Sequence, residues 1–137
     1  MHRVFVYGTL KRGQSNHPLL RDSHFLGPAI TTKRYRMIAN EFPVLLSFGN
    51  GLAVKGELYE VETETRNRLD RLERVREDGS GSYERRATDV HYWNGDKLLA
   101  SSAEIYIGNP ARWQEMPWAD WHVTNSTGQL EWPRATS

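Results

Sequence analysis

Apolar and polar positions alternate in short runs along most of the chain, the period of half-buried strands. Residues 3–7 (RVFVY) are β-branched and aromatic and predict a first strand, which the run GTLKRG at 8–13 then breaks. Further strands are expected within 29–39, at 44–48 and at 53–61, with Gly49-Asn50-Gly51 as the turn between the last two. Residues 89–93 and 97–106 flank Asn94-Gly95-Asp96, and an Asn-Gly pair between two strand-like runs is a strong short-range hairpin signal. The period changes in residues 63–75. There Leu69, Leu72 and Val75 recur at three-residue spacing, charges fill the other positions, and a helix is predicted, ended by the Gly/Ser-rich stretch 78–82. Asn109-Pro110 predicts the cap and first position of a short helix reaching about 115, and a helical turn is expected within 13–20.

About six strands with one good helix predict an α+β fold: a small mixed β-barrel or strongly curled sheet with flanking helices. Strands and helices do not alternate regularly, which speaks against a doubly wound parallel sheet. The 137 residues are read as a single domain, and a 38% apolar share is enough for a core without staples.

Composition narrows the chemistry. The formal net charge of +1 gives no reason to expect nucleic acid or a membrane as partner. The chain has no cysteine, so disulfides, thiolate nucleophiles and cysteine-ligated metals are excluded. Its 5 histidines are scattered without metal-ligand spacing, and no metal site is expected. No stretch resembles a secretory leader or a membrane span, so a cytoplasmic location is the expectation.

The first strand runs into Gly8, where the chain must turn. A glycine there lets a ligand approach the backbone, and the following N–H groups are free to face an anion or a polarised oxygen. A plain strand-to-loop turn remains the alternative. Gly8 to Gly13 is not followed by the Lys-Ser/Thr pair of a P-loop, which leaves Lys11 and Arg12 as a weak phosphate cradle at most.

Tyr7-Gly8-Thr9-Leu10 resembles the YGTL signature of the gamma-glutamylcyclotransferase-like family, and the run through Lys11-Arg12-Gly13-Gln14 and Asn16-His17 is most similar to its gamma-glutamylamine cyclotransferase members. Gly56-Glu57-Leu58-Tyr59 resembles the family's strand of form GExY, residues 69–73 its helical segment, and Tyr83-Glu84-Arg85 its YxR. The resemblance implies a small barrel. It implies that the backbone of Tyr7, Gly8, Thr9 and Leu10 holds a glutamyl or 5-oxoproline moiety, and that Glu73 is the catalytic base. Its activity would be release of 5-oxoproline from a small γ-glutamyl substrate such as γ-glutamyl-lysine, with no cofactor.

The residue pattern adds to this. At ~100° per residue, Glu73 falls beside Leu69 at the edge of the apolar stripe, where a carboxylate can be half-buried and still reach a cleft. Asp70 and Glu77 are its expected neighbours, and Arg66 and Arg76 are expected to oppose the rise in pKa that burial causes. Glu77 is the rival base if the helix register differs. Tyr83 and Tyr106 are candidate pocket residues through their hydroxyls. Trp113, Trp118, Trp121 and Trp132 suggest a packed lid or an apolar wall. The alternative of a different class is a non-catalytic metabolite- or partner-binding module on the same fold.

Overall fold

A computed structural model describes residues 1–39, 42–47, 51–75, 81–113, 119–120, 124 and 127–133. The described strands are β1 (His2–Val6), β2 (His24–Thr31), β3 (Arg36–Ala39), β4 (Pro43–Leu46), β5 (Lys55–Val61), β6 (Tyr83–Asn94), β7 (Lys97–Gly108) and β8 (Ala119–Asp120). Helix α1 (Thr63–Leu72) follows β5, α2 (Pro110–Trp113) follows β7, and a 3₁₀ turn covers His17–Leu20. Five strands close a barrel in the order β1-β5-β2-β6-β7, and β4-β3-β8 form a separate antiparallel sheet. The barrel is mixed because it closes on a parallel pair, Val4 against Glu104 and Phe5 against Ile105, while its other pairings are antiparallel. The fold is thus the small mixed barrel expected, with eight described strands where about six were predicted.

Three boundaries differ from the sequence pattern, each for a physical reason. β2 starts at His24 because a bulge at Leu26 keeps the strand paired with β5 through Gly27 and Pro28. The register shifts between Phe25 and Gly27, Gly27 has φ 153°, and a Cβ there would lie 1.9 Å from the Trp93 carbonyl oxygen. The expected single strand within 29–39 is interrupted because Thr31 turns the chain. Its hydroxyl donates to the Lys33 carbonyl at 2.7 Å and accepts from Val54 N–H at 2.9 Å. β6 begins at Tyr83, because Arg85 and Arg86 are neutralised by ion pairs and so tolerated in a strand. It pairs with β7 from Tyr83↔Gly108 to Asn94↔Lys97, with Gly95 at φ 64° in the connecting turn. The predicted turn at 49–51 and the end of the 110–115 helix fall partly outside the described residues, as does the loop 78–82.

β1 explains how the site is positioned. Phe5 joins Ala29, Leu58, Val90 and Ile105, side chains from the other four barrel strands, in one buried cluster that fills the barrel. Val4 and Val6 point the other way and join Leu10, Tyr59, Leu69, Tyr106 and Trp113 in a second cluster. Period-2 alternation therefore buries both faces of one strand. The outer cluster packs α1 against the barrel and brings its C-terminal end beside the exit of β1.

Candidate active site

The loop leaving β1 is held by its carbonyl oxygens. Gly8 C=O accepts from Lys11 N–H at 3.0 Å, Thr9 C=O from Asn16 N–H at 2.8 Å, and Leu10 C=O from the His17 ring Nδ1 at 3.1 Å. Asn16 Nδ2 adds a bond to Thr9 Oγ1 at 2.9 Å, and Arg12 N–H donates to Glu57 Oε1 at 2.9 Å. The N–H groups of Gly8, Thr9 and Leu10 have no acceptor among the described residues. Three consecutive unclaimed donors make a site for an anion or a polarised oxygen. Gly8 has a more specific cause than ligand approach: a Cβ there would lie 2.8 Å from the ring of Pro43.

Glu73 is not inside the helix, as the 63–75 prediction had it, but caps it. Arg74 N–H bonds to Arg71 C=O at 3.2 Å and Val75 N–H to Asp70 C=O at 2.9 Å, with Arg74 in the left-handed region at φ 54°. This is the Schellman ending, which glycine usually supplies. Arginine takes that conformation at a cost of about 1 kcal/mol. Nothing among the described residues hydrogen-bonds or pairs with the Glu73 carboxyl, and burial pushes its pKa up to about 7. The negative end of the α1 dipole acts in the same direction.

Of the expected charged neighbours of Glu73, Asp70 and Arg66 are occupied elsewhere. Asp70 accepts from Tyr106 Oη at 2.6 Å and pairs with Arg85, whose Nε lies 2.9 Å from Glu104. Arg66 pairs with Glu104 at 3.2 Å and hydrogen-bonds the His2 ring. Glu77 and Arg76 lie outside the described residues. Tyr7 Oη donates to the Tyr106 carbonyl at 2.6 Å. Tyr83 is different. Burial, and after it the neighbouring Tyr7 and Glu73, push its pKa far up, and its hydroxyl has no hydrogen-bond partner among the described residues.

A cavity of about 410 Å³ lies between these elements. Tyr7, Gly8, Thr9, Leu10, Glu73, Tyr83 and Tyr106 all line it. The sequence pattern did not single out Asn16, Phe42, Pro43, Ser82 or Arg74, which line it too. Only Asn16 had a signal, as part of the run shared with the family. Trp113 does form an aromatic wall, 5.8 Å from the Tyr83 ring and 6.2 Å from that of Phe42. Trp132 instead joins the barrel cluster, and Trp118 and Trp121 lie outside the described residues. Among the described residues no cluster of His, Cys, Asp and Glu side chains could hold a metal ion, and no helix is long and apolar enough to cross a membrane.

Residues 4–123 match the family described as gamma-glutamyl cyclotransferase, AIG2-like. The chain belongs to this family. It is 36% identical over 118 residues to the gamma-glutamylaminecyclotransferase of Mus musculus, covering 78% of this chain and 76% of that one. A family relative from Methanocaldococcus jannaschii is 40% identical over 74 residues, a match that spans 53% of this chain and 62% of the relative, under two thirds of its length. The crystal structure of an AIG2-like protein from Mus musculus superposes with a TM-score of 0.69 at 30% identity, covering 100% of this chain and 99% of that one.

Proposed function

We propose that this family member releases 5-oxoproline from a γ-glutamyl amine, with ε-(γ-glutamyl)-lysine-like compounds as the first candidates. One observation carries the reading. Glu73, whose pKa burial shifts up to about 7, and three residues whose backbone N–H groups have no acceptor among the described residues line the same cavity, whose volume suits a small ligand.

The substrate brings its own nucleophile. Its α-amine attacks the γ-carbonyl carbon, a C–N bond closes the five-membered lactam, and the bond from that carbon to the leaving nitrogen breaks. Glu73 takes the proton the attacking amine loses and gives it to the leaving amine, so none is gained or lost overall. A free α-amine has a pKa of about 8. Moving its proton to an ordinary carboxylate costs roughly 5 kcal/mol. With Glu73 at about 7 the gap is near one unit, or roughly 1.4 kcal/mol.

The Gly8–Leu10 donors serve two further needs. Gripping the glutamyl oxygens folds a flexible chain toward ring closure, and well-oriented intramolecular reactions gain roughly 7–11 kcal/mol over bimolecular ones. A donor aimed at the γ-carbonyl oxygen stabilises its growing charge by about 3 kcal/mol. Tyr83, neutral at every working pH and free to donate, supports the same role.

Incubation with ε-(γ-glutamyl)-lysine, its α-isomer and γ-glutamyl dipeptides, followed by assay for 5-oxoproline, tests the reading. Release of 5-oxoproline from at least one is expected. Failure with all of them removes the activity and leaves a binding module.

A further inference from the structure

The mechanism leaves one charged residue at the cavity unused. Arg74 follows Glu73 directly and is the single non-glycine residue with positive φ among the described residues. Glycine would meet the needs of the helix ending there without strain. The residue present instead carries a long cationic side chain, exposed, at the rim of the cavity. That guanidinium, like that of Arg71 on α1, makes no hydrogen bond or ion pair among the described residues, whereas Arg66, Arg68 and Arg85 are paired; of the two unpaired arginines only Arg74 lines the cavity.

Chain order says which part of a substrate Arg74 can meet. Glu73 must lie within hydrogen-bond reach of the leaving nitrogen to protonate it. Whatever that nitrogen carries then extends from Glu73 toward the rim, where the next side chain is Arg74. On the cyclotransferase reading the glutamyl half is the part held by the Gly8–Leu10 donors.

We propose that Arg74 sets specificity by pairing with a carboxylate on the leaving amine. The preferred substrates are then γ-glutamyl conjugates of amino acids, joined through an α- or side-chain nitrogen, over conjugates of plain alkyl amines. The proposal rests on the cyclotransferase reading above. A planar guanidinium suits a carboxylate through two parallel bonds, and such charge-assisted pairs are stronger than neutral ones.

The test compares kcat/KM for ε-(γ-glutamyl)-lysine and for the same compound with its lysyl carboxylate capped as the carboxamide. The wild type should prefer the free acid. In Arg74→Gly that preference should fall by roughly 10- to 100-fold, the range of one charged hydrogen-bonded pair. Arg74→Lys should keep part of it, a point charge without the fork. Glycine relieves the left-handed backbone, so the Tm of Arg74→Gly should hold or rise, and a lost preference then reports recognition rather than misfolding. Equal turnover of both compounds by the wild type, or an unchanged ratio in Arg74→Gly, overturns the proposal. Turnover of neither by the wild type overturns the activity itself, and the specificity proposal with it.

Discussion

Asp70 and Glu73 leave the same end of α1, three residues apart, and meet opposite fates. Asp70 faces the barrel wall and is enclosed by partners: Arg85, itself tied to Glu104, and the Tyr106 hydroxyl. Glu73 lines the cavity with neither cation nor donor on its carboxyl among the described residues. The first carboxylate fastens α1 to β6 and β7 through its partners. The second is desolvated and unpaired, so its proton is easily moved in either direction. Position on a helix therefore says little about a carboxylate's role, and the partners it has say more.

The sharpest way to break this comparison is to neutralise each acid in turn. Glu73→Gln keeps shape and removes the proton carrier, and kcat should fall by roughly 10²–10⁴-fold, the range of a general acid–base group. In the wild type, kcat/KM should fall as pH drops below about 7, where Glu73 becomes protonated. A rate profile flat across that region, or a variant with intact turnover, would remove Glu73 from the chemistry.

Stability should answer the other way. The pKa of Glu73 rises from an ordinary 4.5 to about 7 on folding, so the folded state binds its proton more tightly than the unfolded chain. Its contribution is intact below about 4.5 and is lost as pH rises to about 7. Glu73→Gln avoids that loss. Urea titrations should find the variant equal to the wild type at low pH and more stable at pH 8, by roughly 3 kcal/mol at most. A variant less stable at pH 8 means the carboxylate has a partner after all.

Asp70→Asn reverses the pattern. It strips Arg85 of one counter-ion and should cost roughly 1–3 kcal/mol in stability, a part-buried charged bond being lost. Turnover should change far less than in Glu73→Gln, because Asn still offers Tyr106 an acceptor. Equal losses of kcat in the two variants would erase the distinction between fastening and chemistry.

That distinction was half visible in the chain. The alternation in RVFVY and the turn at Gly8 mark a strand ending in a loop, and the three-residue spacing of Leu69 and Leu72 marks the helix that packs on it. The helix end is hidden, because Arg74 takes a left-handed conformation that composition assigns to glycine. Asp70 was expected beside Glu73, and only the fold shows that Arg85 and Tyr106, brought from the β6–β7 hairpin, claim it. Pro43 and Phe42 carry no local signal, since they reach the cavity by packing across the fold.

The three pocket tyrosines carry the comparison to its finest point. Tyr106 spends its hydroxyl on Asp70, as Tyr7 spends its own on a backbone carbonyl. Tyr83 keeps its hydroxyl, beside Glu73, without a partner among the described residues. Removing a hydroxyl costs stability mainly when a buried partner is left behind. Tyr106→Phe should therefore destabilise the fold by about 1 kcal/mol, while Tyr83→Phe should leave the urea midpoint unchanged. Tyr83→Phe should instead lower kcat, by about tenfold or 1.4 kcal/mol, if its hydroxyl donates to charge that grows in the transition state. A Tyr83→Phe enzyme with full kcat and raised KM would assign that hydroxyl to ground-state binding, and the backbone donors of the Gly8 loop would then carry the charge alone.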